Sequence, residues 1–272
     1  MIARVESVRR GLSLGLVAVG LALAAAGAGP VADSAVLPGV KGEDYAKGMA
    51  LFKGFKNQEA VPFLEKAWAE NPGNPTVLTE LAYAYNNTGE DLDSKASEAC
   101  YEKAVACSEK LRVLAPDRAE TYFLLSMTYG NLAMFRGGRE KVRLSREIEG
   151  LARKGVELDP TYSPNYAVLG VYYREVATLN PILRGFAKYL LGGLPSGTLE
   201  DSERMFLKSI ATDPANVYGT YQLALTYGEM DRPDKAAAMY RKVLALPIVD
   251  HQDGKWRIAA QAWLDKRQGK GR

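Results

Sequence analysis

The sequence predicts an all-α protein: a right-handed superhelical solenoid of about five helical hairpins, closed by a C-terminal capping helix. Three observations predict it. The pattern Leu-small-x-x-Tyr recurs at Leu81-Ala82 with Tyr85, Leu125-Ser126 with Tyr129, Leu169-Gly170 with Tyr173 and Leu223-Ala224 with Tyr227, the first three tyrosines 44 residues apart and the last step 54. A proline stop recurs at Glu70-Asn71-Pro72, Leu114-Ala115-Pro116, Leu158-Asp159-Pro160, Thr212-Asp213-Pro214 and Leu246-Pro247. Near the C-terminus, Trp256, Ala259, Ala260 and Trp263 fall at helical spacing. Self-similarity at a fixed period marks stacked supersecondary units, and proline ends one helix while letting the next begin.

Taken in order, the chain opens with an address. Arg4, Arg9 and Arg10 precede a small and apolar run from Gly11 to Gly29, with Ala26-Gly27-Ala28 as an A-x-A cleavage pattern. Residues 1–28 therefore read as a secretory signal peptide, or as an N-terminal anchor across residues 11–29, since the run is about long enough to span a bilayer. Either reading exports the body to the periplasm or cell envelope and leaves membrane association to this segment. Residues 29–42 read as a linker around Pro38.

The repeat domain is expected over 43–268, with units at about 43–72, 75–116, 119–160, 163–214 and 217–247 and a capping helix at 254–267. In each first helix, a small residue beside leucine lets the partner helix approach, and the tyrosine one turn later packs across the pair. Gly48, Leu51, Ala60, Leu64, Ala67 and Pro72 in the first unit, and Leu223, Ala224, Tyr227, Ala236, Tyr240 and Pro247 in the last, resemble the pattern of the tetratricopeptide (TPR) family. The middle units exceed that family's period by insertions between their helices, about ten residues near 87–95, about ten near 135–146 and about twenty near 179–199.

Within this frame, Tyr173-Arg174-Glu175-Val176-Ala177, Gly193-Leu194-Pro195-Ser196-Gly197-Thr198, Glu200-Asp201-Ser202, Phe206-Leu207-Lys208 and Leu246-Pro247-Ile248-Val249 resemble the regulator of microtubule dynamics family. The resemblance implies an all-helical TPR fold, a scaffold role and, from eukaryotic members, a cytoskeleton-associated one. An exported chain would not meet microtubules.

Composition narrows the function. The net charge is +3; the first 28 residues contribute three arginines against Glu6, so the body carries about +1, with both signs interspersed. That mixing argues against nucleic acid as a partner. Cys100 and Cys107 stand seven apart on one helix, roughly 10 Å along its axis, too far for a disulfide, and read as buried small residues. His251 is the only histidine, which excludes a multi-histidine metal site, and it reads as a surface residue. No nucleophile motif, phosphate loop or metal spacing occurs. The expectation is a non-enzyme with no catalytic residues, no cofactor and no metal.

A partner would lie on the concave face lined by the first helices. The TPR resemblance maps that face onto Thr79, Tyr83, Asn86, Asn87, Phe123, Met127, Asn131, Val171, Arg174, Glu175, Tyr221, Leu225 and Glu229. Aromatic, amide and charged groups together suit a protein or peptide partner, although Phe123 and Tyr221 could equally complete the core. The insertion carries Ile182, Leu183, Phe186, Tyr189 and Leu190, either a lid over the groove or a structural hairpin. A lid would fit the alternative role, a carrier of a small hydrophobic ligand or lipid resembling TRAP-transporter-associated TPR proteins. The sequence leaves the oligomeric state open.

Overall fold

The computed structural model describes Val40 and residues 42–92, 95–136, 138–180 and 197–270. The candidate signal peptide, most of the linker and the candidate lid residues Ile182, Leu183, Phe186, Tyr189 and Leu190 lie outside the described residues. Those described form helices α1 (Glu43–Lys53), α2 (Asn57–Glu70), α3 (Pro75–Asp91), α4 (Lys95–Leu114), α5 (Ala119–Phe135), α6 (Gly138–Leu158), α7 (Ser163–Ala177), α8 (Leu199–Thr212), α9 (Val217–Glu229), α10 (Pro233–Ala245) and α11 (Asp253–Lys270).

Local chemistry starts these helices. Proline occupies the first turn of α3, α7 and α10, where its missing N–H costs nothing. Asn74 Oδ1 accepts from the Thr76 amide at 3.0 Å, and Asn216 Oδ1 caps α9 through the Gly219 amide at 2.6 Å. Thr198 and Asp201 form a reciprocal capping box at α8: the Asp201 amide donates to Thr198 Oγ1 at 3.0 Å and the Thr198 amide to Asp201 Oδ2 at 3.1 Å. Each such cap satisfies end-of-helix donors and contributes about 1 kcal/mol.

Helices pair as α1/α2, α3/α4, α5/α6, α7/α8 and α9/α10, each second helix also touching the first helix of the next pair. The first helices α1, α3, α5, α7 and α9 form an inner row in which each touches the next, and α11 covers α9 and α10. This is a helical solenoid of five hairpins with a cap. The cap is aromatic: Trp256 lies 4.8 Å from Tyr221 and 6.0 Å from Tyr218, and Trp263 lies 4.8 Å from Tyr240, ring centre to ring centre.

The small positions permit close approach. All of Ala82, Ser126, Gly170 and Ala224 are buried, and a Cβ on Gly170 would sit 2.8 Å from the Phe206 ring on the partner helix.

Two expectations are corrected. Among the described residues the first two insertions lengthen helices: α3 to α6 run 17, 20, 17 and 21 residues, against 11 and 14 for α1 and α2. Extra residues that continue a helix gain a backbone hydrogen bond each, whereas a loop of the same length gains none. Only residues flanking the third insertion are described.

The tyrosines, moreover, reach beyond their own pair. Tyr85 donates to Glu65, Tyr129 to Glu109 at 2.8 Å and Tyr173 to Glu149 at 2.9 Å, with Tyr227 bonded to Glu203. Each glutamate belongs to the second helix of the preceding unit, so the phenol ties one repeat to the next. A cation completes each junction: Lys103 contacts both Glu65 and the Tyr85 ring, Arg143 bonds Tyr129, Arg153 donates to Tyr173 at 2.6 Å, and Lys235 contacts both Glu203 and the Tyr227 ring.

Candidate functional site

The inner row carries all the residues expected to line the groove, but its geometry hides most of them. Thr79, Tyr83, Asn86, Asn87, Phe123, Met127, Asn131, Val171 and Arg174 are buried, Glu175, Tyr221 and Leu225 are half-buried, and Glu229 is exposed. The reading of these positions as exposed is therefore corrected for the first nine. Because α3, α5, α7 and α9 touch in sequence, side chains on their inner flanks pack on the neighbouring inner helix instead of facing solvent. Phe123 and Met127 belong to the core, at 1% and 0% exposure. Tyr221 stacks under the capping helix on Trp256.

Arg174 acts as a strut. Its Nη1 donates to the Gln222 carbonyl of α9 at 3.1 Å and its Nη2 lies 3.4 Å from Glu175 Oε1. Asn131 Nδ2 donates to Asn86 Oδ1 at 2.8 Å, and Asn86 Nδ2 to Glu90 Oε1 at 2.9 Å, an amide chain linking α5 to the last turn of α3.

That chain ends on a residue misread from sequence. His251, expected at the surface, has a side chain only 4% exposed, with Nε2 3.1 Å from Glu90 Oε2 and Nδ1 3.2 Å from Asp250 Oδ1. Burial alone would lower its pKa, but the Asp250 and Glu90 carboxylates outweigh burial and raise it to about 10, so the imidazolium is the resident form. The loop carrying it is held by Asp253, whose Oδ2 accepts from the Val249 and Asp250 amides at 2.9 Å each. The segment after α10 thus closes the C-terminal end of the inner row, from unit five onto unit two. A lone histidine flanked by Asp250 and Asp253 was the available sign; that Glu90 would face it was not readable.

At the opposite end, where the inner helices begin, a second cluster forms from residues outside the expected set. Tyr83 Oη donates to Glu120 Oε1 at 3.2 Å and lies 3.2 Å from Tyr162 Oη. Phe123 packs against both tyrosine rings, its centre 6.4 Å from that of Tyr83 and 6.0 Å from that of Tyr162. Glu80, one turn before Tyr83, is 5% exposed and its Oε2 is buried with no hydrogen-bond partner. Burial pushes its carboxyl up to about 8; the Glu120 charge adds to the rise and Lys53 opposes it. Glu120 is raised by burial as well, against Tyr83 and Arg118, and burial drives both phenols well above their ordinary range.

Farther along the row, burial also raises Glu175, with Arg174 opposing the rise and Glu229 adding to it. The inner helices thus carry Glu80 and Glu120 near the starts of α3 and α5 and Glu175 and Glu229 near the ends of α7 and α9. Cys100 and Cys107 are free and half-buried, and burial raises both thiols, Cys107 to about 11. Among the described residues no group of three or more His, Cys, Asp or Glu side chains is arranged to hold a metal ion, and no helix is long and apolar enough to cross a membrane.

The hairpin stacking, the small positions and the inner row together define a TPR-type helical repeat protein. Its backbone is similar to that of a thermophilic TPR protein of Thermus thermophilus, with a TM-score of 0.61 at 21% identity over 81% of this chain and 97% of that one, a likeness of fold alone. Residues 45–268 match the family described as regulator of microtubule dynamics protein 1-3, and the chain belongs to that family. Similar relatives are regulator of microtubule dynamics protein 2 of Bos taurus, 25% identical over 146 residues, and of Mus musculus, 24% identical over 179 residues. These matches span 53% and 65% of this chain but only 36% and 43% of the relatives.

Proposed function

We propose that the protein is a non-catalytic scaffold, exported to the cell envelope, that binds a polypeptide partner along the inner side of its repeats. The observation that carries this reading is that four successive inner helices each carry a glutamate, Glu80 and Glu120 near the starts of α3 and α5 and Glu175 and Glu229 near the ends of α7 and α9, in a chain whose overall charge is slightly positive. Glu229, exposed, and Glu120 and Glu175, half-buried, give the inner helices of a nearly neutral solenoid carboxylates that favour a basic segment, because complementary charge steers and orients association. TPR-type folding supports a scaffold role, and the Arg-rich start with its apolar run and A-x-A pattern supports export.

Two experiments test it. A photo-cross-linking residue at Glu229, on the inner row, should capture a partner in cells, while one at Val113, 78% exposed on a second helix, should not; equal capture, or none at Glu229, refutes the inner-side assignment. Cell fractionation with mass determination of the mature N-terminus checks export, and an intact N-terminus in the cytoplasm refutes it.

A further inference from the structure

Resting on that reading, we propose that the cluster of Glu80, Glu120, Tyr83, Phe123 and Tyr162 is a binding site for a primary ammonium group, the ε-amino group of a lysine in the partner polypeptide. Three features select this ligand.

The first is the acceptor set. A lysine ammonium carries three donors and no acceptor. Glu80 Oε2 accepts nothing from the protein, Glu120 uses Oε1 for Tyr83, leaving Oε2, and the Tyr162 oxygen retains lone-pair capacity. An unpaired buried oxygen is costly for a chain to keep, and an entering N–H donor relieves that cost.

The second is the aromatic surround. Tyr83, Phe123 and Tyr162, spaced 6.4 and 6.0 Å apart, supply rings whose electron-rich faces attract a desolvated cation. Apolar rings with carboxylates behind them exclude an anion and give a neutral amide little to gain.

The third is access. Glu120 and Tyr162 are half-buried and form the rim, whereas Glu80, Tyr83 and Phe123 lie beneath, at 5%, 4% and 1% exposure. A lysine reaches such a depth with a thin apolar stem and a terminal charge; the wide, planar guanidinium of arginine is a poorer fit.

The charged and titratable groups around the site are Tyr45 and Lys53 of α1, Tyr83 of α3, Glu120 of α5 with Arg118 before it, and Asp159 near Tyr162. Glu80 holds a proton at neutral pH, so ammonium entry displaces that proton and binding strengthens as pH rises toward 8.

The test uses the full mature chain and three probes, followed by NMR or calorimetry: a capped Ala-Lys-Ala peptide, n-butylammonium and tetramethylammonium. The peptide should bind, tetramethylammonium should bind at least about tenfold more weakly for want of N–H donors, and heat in buffers of different ionisation enthalpy should show proton release. Glu80→Gln should weaken the peptide by about tenfold or more while circular dichroism stays unchanged. Absence of peptide binding at millimolar concentration, equal binding by Glu80→Gln, or tetramethylammonium matching the peptide overturns the site. Binding of n-butylammonium as tight as that of the peptide overturns its assignment to a polypeptide lysine. Capture at Glu229 with no ammonium binding defeats this inference alone, and the reverse result defeats the scaffold reading alone.

Discussion

Tyr129 donates a 2.8 Å hydrogen bond to Glu109, a residue 20 positions earlier on the second helix of the preceding unit. The same relationship, at spacings of 20 or 24, recurs at Tyr85 and Tyr173. A solenoid holds together through its nearest-neighbour interfaces, and this pair is one polar fastening of such an interface.

Tyr129→Phe should therefore lower stability by about 1 kcal/mol, the ordinary net worth of one hydrogen bond. Glu109 is exposed, which keeps the loss small. A double-mutant cycle with Glu109→Gln, read by denaturant midpoint, should show coupling between the two; strict additivity would contradict the fastening role.

Gly170 sets the approach of α7 and α8. Gly170→Ala places a methyl 2.8 Å from the fully buried Phe206 ring, and overpacking of this kind costs about 1–3 kcal/mol, more than alanine's helix-propensity gain of about 1 kcal/mol. Thermal denaturation should show the loss, and Phe206→Leu in the same chain should recover part of it.

Glu80 makes stability depend on pH in a defined direction. Its folded pKa of about 8 exceeds the unfolded value of about 4.5, so its contribution is complete below pH 4.5 and is lost as pH rises toward and through 8. Glu80→Gln should flatten the fall in denaturation midpoint between pH 5 and 8. An unchanged slope would show that the carboxyl is not held protonated.

His251 acts in a higher window. With a folded pKa raised to about 10 over an unfolded value near 6.5, its stabilisation is full below pH 6.5 and disappears as pH rises through 10. Breaking a buried charge pair from one side costs roughly 3–5 kcal/mol, so His251→Asn should release the segment after α10. Hydrogen exchange of the amides at 249–253 and the fluorescence of Trp256 report the opening; unaltered protection would refute the closure.

Much of this architecture was legible in one dimension. Repeating Leu-small-x-x-Tyr, the proline stops and the C-terminal tryptophans carry local information, because helix boundaries and the stripe each helix buries depend on residues a turn or two apart. Sequence therefore determined five hairpins and a cap, and the family as well. It did not determine where extra residues go: the first two insertions lengthened α3 to α6, since helix continuation satisfies its own backbone.

Tertiary structure alone decided which inner-row side chains are buried. The inner helices touch one another closely enough to bury Asn86, Phe123, Met127 and Arg174, which sequence reasoning had placed against a partner. It also decided that Glu80, Glu120 and Tyr162, from three different units, share one cluster, and that His251 meets Glu90. Such meetings depend on the small rotation accumulated from repeat to repeat, a sum over the whole stack that no single repeat states.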